Sequence, residues 1–197
     1  MNKKQIHVEY TEFESVNELS NIDKQLINKA IDIAGKSYSP YSQFPVGAAV
    51  LLNNGEIFAG NNQENIAFPS GTCAERTVLN YVNANFPEYK IETIAITALK
   101  TLAVIPITPC GFCRQVLVEM EQKQAQSIKV ILHKLDGTTY VFASALSLLP
   151  LAFDEAILKK WHRSAPLSIF STKWLARLIF NTTLWKQSLS LVLASKR

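Results

Sequence analysis

The placement of the cysteines constrains this chain most. All three, in 197 residues, lie in two short clusters, Thr72-Cys73-Ala74-Glu75-Arg76 and Pro109-Cys110-Gly111-Phe112-Cys113-Arg114-Gln115. An odd number of cysteines cannot close a disulfide framework, and thiols that ligate a metal need a reducing compartment to stay free. Cys73, Cys110 and Cys113 offer three soft ligands, which leaves the fourth position of a tetrahedral zinc open to water, as in a catalytic site. A closed structural site needs a fourth ligand, yet His7, His133 and His162 stand at no ligand spacing to the clusters. The Cys-x-x-Cys pair taken alone also fits a structural zinc knuckle or a redox dithiol.

Both clusters fall where helices are expected to begin, so unpaired backbone N–H groups and the positive end of the helix dipole favour thiolate over thiol. Zinc with three thiolates carries a net negative charge, which weakens its pull on bound water. Arg76, one helical turn beyond Cys73, and Arg114, beside Cys113, are the guanidinium groups that could donate to sulfur and offset this. The arrangement of Cys-x-Glu with a distant Pro-Cys-x-x-Cys resembles the motif of the zinc-dependent nucleobase deaminases. That resemblance makes Glu75 the proton carrier and not a ligand. The spacing Thr72-x-x-Glu75 also fits a helix-capping box.

Composition allows one good-sized core: 48% of residues are hydrophobic and 18% charged. The net charge of +4 is unevenly spread, with 14 basic and 16 acidic residues in 1–160 but 6 basic and none acidic in 161–197. A mildly acidic body argues against a nucleic-acid partner for the main part of the chain. Neither a signal-peptide core at the start nor any apolar run of membrane-spanning length is present in the sequence, so a cytoplasmic protein is expected.

Apolar residues Ile22, Leu26, Ile27, Ala30, Ile33 and Ala34 recur at helical spacing behind Asn21 as N-cap, which predicts a helix over 22–38. Strands are expected over 46–52 and 56–60 about the turn Asn53-Asn54-Gly55, then over 91–99, 128–133 and 138–142. Helices are expected over 73–84 and 109–121, the second with Pro109 in its first turn. Strands alternating with helices predict an α/β fold, a three-layer α/β/α sandwich around a mixed five-stranded sheet. The domain boundary falls near residue 160, separating a catalytic domain, 1–160, from a basic appendage, 161–197, that holds all three tryptophans. That appendage reads as an extra surface helix, a disordered end or a frameshifted stretch, or else as a membrane-surface helix.

Beyond the metal motif, residues 22–158 resemble the small, three-cysteine, homotetrameric cytidine deaminases. The likeness rests on Tyr38-Ser39-Pro40-Tyr41-Ser42-Gln43-Phe44-Pro45-Val46-Gly47-Ala48-Ala49, on Gly60-Asn61-Asn62-Gln63-Glu64-Asn65, and on Leu148-Leu149-Pro150-Leu151-Ala152-Phe153. It implies one Zn2+ per chain, held by Cys73, Cys110 and Cys113, and hydrolytic deamination of cytidine and deoxycytidine in pyrimidine salvage. It implies that Asn62 and Glu64 bind the ribose hydroxyls and that Phe44 and Val46 pack on the nucleoside. It places the Ala74 backbone against the base, Arg76 against the ligand sulfurs, and Phe68 and Phe153 in or near pockets shared between subunits. For the two phenylalanines ordinary core packing is the alternative. Deamination of a cytosine-containing antibiotic, nucleic-acid editing, or a catalytically silent zinc module are the competing functions.

Overall fold

The computed structural model describes residues 1–153, which form one compact unit; the Trp-rich appendage lies outside the described residues. Six strands make one sheet in the order β1-β6-β5-β4-β2-β3. These are β1 (Thr11–Phe13), β2 (Val46–Leu52), β3 (Ile57–Asn61), β4 (Ile91–Ala98), β5 (Lys129–His133) and β6 (Thr139–Phe142). Only β4 and β5 pair in parallel, and every other neighbouring pair is antiparallel. Parallel neighbours need a crossover, which here is helix α3 (Gly111–Gln124).

Helix α1 (Asn21–Ala34) covers one face of the sheet. Its N-cap is Ser20, whose hydroxyl accepts the Asp23 N–H, and it buries Leu26, Ile27 and Ala30 against Ala49, Leu51, Ala95 and Ile131. Removing each leucine-sized side chain from water contributes about 1.5–3 kcal/mol. Gly47 lets the helix lie this close, because a Cβ there would run into the Ala30 carbonyl and the Ala34 backbone. The Asp23 carboxylate, 2.6 Å from the Lys129 ammonium, ties the start of the helix to β5.

Helices α2 (Ala74–Asn85) and α3 cover the other face, where Val78, Leu79, Val82 and Leu117 pack on Val50, Ile94, Ile96, Val130 and Leu132. Gly60 of β3 is the second close approach: a Cβ would lie 2.8 Å from the Val78 nitrogen in α2. The result is the expected three-layer sandwich on a mixed sheet.

The sheet has six strands, not five. The added strand, β1, comes from the acid-rich lead-in and pairs with β6, Thr11 opposite Val141 and Phe13 opposite Thr139. It is three residues long with two of them exposed, so it leaves almost no alternation in the sequence. Helix α1 also stops earlier than its periodicity suggested, at Gly35. Pro109 precedes the N-cap Cys110 instead of sitting inside the first turn of α3.

Candidate metal centre

Cys73 and Cys110 are the N-cap residues of α2 and α3, both in extended backbone conformation (ψ 154° and 166°), and neither side chain caps its helix. Each thiol is therefore free to face the gap between the two helix starts. Cys113, in the first turn of α3, is fully buried there. The Cys110 sulfur lies 3.9 Å from that of Cys73 and 3.5 Å from that of Cys113, and all three sulfurs lie within 4.8 Å of one another. Sulfurs about 2.3 Å from a tetrahedral zinc stand about 3.8 Å apart, so the donor set fits that ion.

Its electrostatics fit as well. The neighbouring Cys113 thiol foremost, with Cys110 and Arg76, outweighs burial and brings the Cys73 thiol down to about 5. The same contact, with burial and the Glu75 charge, pushes Cys113 up. Left to themselves the sulfurs share protons; a dication among them allows all three to ionise.

Glu75 follows in the first turn of α2 with its side chain buried. Burial, above all, and then the charge of Cys73 push its carboxyl above the usual carboxylate range, while its own backbone N–H and the neighbouring Cys113 thiol hold it back. The capping box open to Thr72 and Glu75 is not formed, since the N-cap is Cys73 and it makes no side-chain cap bond. The Arg76 guanidinium donates to the Gly71 carbonyl at 3.3 Å and lies beside the Cys73 and Cys113 sulfurs. Burial works to lower its pKa, but the nearby Cys73 and Cys113 sulfurs raise it. Its Nε is buried with no partner among the described residues. Arg114 does not share the task expected of it. Its fork is spent on the Pro109 carbonyl (2.8 Å), the Leu148 carbonyl (3.2 Å) and the Thr108 hydroxyl (3.0 Å), so it braces the loop that enters α3.

Ala74 is the first residue of α2 and fully buried. Val46 opens β2, and both it and Phe44 are half-buried. Asn62 follows β3; its Oδ1 accepts the Val46 N–H at 2.8 Å and its Nδ2 donates to the Phe44 carbonyl at 3.0 Å. Glu64 accepts the N–H groups of Tyr41 (2.8 Å) and Ser42 (3.2 Å) and the Ser42 hydroxyl. Those bonds, the hydroxyl foremost, hold its carboxyl below the ordinary range. Phe68 and Phe153 are not core residues of this unit: they are 89% and 59% exposed.

Three supports carry almost no signal in the sequence. Ser42 bonds Glu64. Gln115 clamps the Phe153 backbone through both amide ends, at 2.9 and 3.2 Å. Glu121 gathers the N–H groups of Ile128 and Ala145 and the Ser144 hydroxyl. Each joins residues more than six positions apart, and only the polar character of the residue inside an otherwise patterned segment hinted at it.

Comparison with known proteins gives a consistent result. Residues 20–128 match the family described as the cytidine and deoxycytidylate deaminase zinc-binding region. The chain is 36% identical over 137 residues to the cytidine deaminase of Sporosarcina psychrophila, a match spanning 67% of this chain and 91% of that one. It is 37% identical over 133 residues to the cytidine deaminase of Halalkalibacterium halodurans, spanning 67% and 95%. Among solved structures, the cytidine deaminase of Burkholderia pseudomallei superposes with a TM-score of 0.58 at 39% identity, over 66% of this chain and 97% of that one.

Proposed function

This chain belongs to the cytidine and deoxycytidylate deaminase family, and from that premise we propose how its own residues carry the reaction, hydrolytic deamination of cytidine and deoxycytidine to uridine and deoxyuridine with release of ammonia. It is a zinc-dependent hydrolase. Cys73, Cys110 and Cys113 hold the metal, which when bound supplies the Lewis acidity that makes water nucleophilic at neutral pH. The observation that carries this reading is the convergence of the three sulfurs at two helix starts with a buried carboxyl, Glu75, next to one of them.

Glu75 moves the protons. It takes one from the attacking water and delivers it to the ring nitrogen N3 as oxygen bonds to C4. It then passes the second water proton to the amino group as the C4–N bond breaks, leaving a carbonyl and ammonia. A carboxyl raised above its ordinary range by burial suits both halves of this transfer. Arg76 draws on the thiolate charge and so preserves the electrophilicity of the centre.

Asn62 and Glu64 read the sugar. With the bonds described above, Asn62 keeps one N–H and Glu64 keeps acceptor capacity on Oε1, a donor and an acceptor matched to one hydroxyl. Phe44 and Val46 pack on the nucleoside, and the Ala74 backbone faces the base. Ile66, Phe68, Phe112, Leu151 and Phe153 stay 59–89% exposed in a single copy, which supports burial against further copies in a homotetramer, with Phe68 and Phe153 reaching shared pockets. Three free thiols suit the cytoplasm, and the reaction suits pyrimidine salvage.

The test is Glu75→Gln. The variant is expected to keep about one zinc per chain and to lose ammonia release from cytidine by at least about a hundredfold; near-normal turnover would remove Glu75 from the mechanism. Light scattering is expected to give a mass four times the 22.0 kDa of the chain.

A further inference from the structure

Residues 37–45, the strap between α1 and β2, have no regular secondary structure of their own beyond an isolated bridge at Tyr38. The strap is anchored at its start by backbone bonds, Tyr38 N–H to Asn62 carbonyl (3.2 Å) and Glu64 N–H to Tyr38 carbonyl (2.8 Å). Its tip contains Gln43 in the left-handed region at φ +52°, a conformation that L residues other than Gly, Asn and Asp rarely hold unless neighbouring bonds impose it. Those bonds converge on one side chain. The Ser42 hydroxyl donates to Glu64 Oε1 and accepts the Phe44 N–H at 3.1 Å, so a single oxygen connects the carboxylate to Phe44, the residue proposed above to pack on the nucleoside. A hydroxyl has one proton and two acceptor sites, and this one can serve both partners at once. Glu64 Oε2 is meanwhile taken by the Tyr41 and Ser42 N–H groups. The carboxylate is thereby fixed with Oε1 as the oxygen that retains acceptor capacity.

We propose that Ser42 is a positioning residue for sugar recognition: its hydroxyl sets the rotamer of Glu64 and, through the Phe44 N–H, the placement of the ring, so that both meet the nucleoside already aligned. This rests on Glu64 being the acceptor for a sugar hydroxyl. Without the Ser42 hydroxyl, Glu64 is held only through Oε2 by the Tyr41 and Ser42 N–H groups, so Oε1 loses its fixed direction and the Phe44 N–H loses its partner; alignment then has to occur at binding and weakens it. The bonds at issue are on the surface strap and not in the core, so the fold does not depend on them.

Steady-state kinetics on the full chain test this with Ser42→Ala, Ser42→Thr, Glu64→Gln and the double variant, on cytidine and on 2′,3′-dideoxycytidine, which lacks both secondary sugar hydroxyls. Ser42→Ala is expected to raise KM for cytidine about tenfold with a smaller change in kcat, and Ser42→Thr, which keeps the hydroxyl, to restore it. On the dideoxynucleoside the Ser42→Ala penalty is expected to shrink to the part carried by Phe44. The double variant is expected to bind cytidine worse than Glu64→Gln alone only by the part carried by Phe44, since the rest of the serine's effect passes through the carboxylate. If Glu64→Gln raises KM while Ser42→Ala does not, or if the two penalties simply add, the positioning role is overturned and sugar reading by Glu64 stands. If Glu64→Gln leaves the KM of cytidine unchanged, both fall.

Discussion

At the scale of single residues, chemistry and support are divided between neighbours in sequence. Cys73, Glu75 and Arg76 face the metal centre, whereas Arg114 and Gln115, directly after Cys113, are spent on holding loops. The ligand cysteines were legible because their spacing is rare and chemically specific. The direction of a guanidinium was not, since it depends on which carbonyls the fold brings near. His133 shows the same limit. It reads as a strand end, and it is the last residue of β5, but it is also buried, with Nδ1 2.9 Å from the Thr139 hydroxyl. That hydroxyl donates to the Gly137 carbonyl at 3.0 Å, so the ring supplies the proton of the first bond as the Nδ1–H tautomer. Burial holds the imidazole below its ordinary value, with the Asp136 charge opposing. The unfolded chain then binds a proton here at a higher pH than the folded one. Stability is fully present above the ordinary histidine value near 6.5 and is lost as pH falls through the lower, folded value. Urea unfolding across pH 5 to 8 is expected to show this, with a slope contribution of up to about 1.4 kcal/mol per pH unit that disappears in His133→Gln.

At the scale of elements, the positions of α2 and α3 matter most, because their N-termini meet at the metal centre. Two close approaches, Gly47 under α1 and Gly60 under α2, set helix depth on the sheet, and α3 is placed by the β4–β5 crossover. Helices and central strands were legible from period and turn signals: Asn54-Gly55 and Asp136-Gly137 are true turns, with Gly55 at φ +87° and Gly137 at +107°. Strand β1 was not, because an edge strand of three residues is defined by what it pairs with. Its stabilisation comes from the neighbouring Tyr10, whose ring is tilted against those of Tyr140 and Phe142 at centroid distances of 4.6 and 5.3 Å, as well as from the ladder to β6. Deleting residues 1–14 leaves β6 as an unpaired edge. The deletion is expected to cost about 1–2 kcal/mol in urea unfolding, from the lost aromatic contacts. It is also expected to promote edge-to-edge association visible in light scattering, while cytidine deamination by the soluble fraction persists.

At the scale of the whole molecule, the catalytic body and the remainder of the chain carry opposite charge. Matches that take in 91% and 95% of two relatives use only 67% of this chain, so the reaction those relatives are named for is accommodated without the rest. Every residue assigned to metal, proton transfer or nucleoside lies at or before Phe153, inside the compact unit. Residues 161–197 add six positive charges, no negative ones and all three tryptophans. We therefore propose that they form an appendage to a catalytic domain of residues 1–160. Truncation after Lys160 is expected to leave a protein that binds zinc and deaminates cytidine with unchanged KM, but with a lower isoelectric point and no tryptophan emission. If the appendage is instead a membrane-surface helix, for which basic residues with Trp and Leu are suited, only the full chain will sediment with phosphatidylserine vesicles, less so as salt shortens the screening length. A truncated protein that keeps its zinc yet cannot turn over cytidine would show that the appendage completes the site or the assembly. A truncated protein that is fully active but no longer sediments with vesicles, where the full chain does, would confine the appendage's role to the lipid surface.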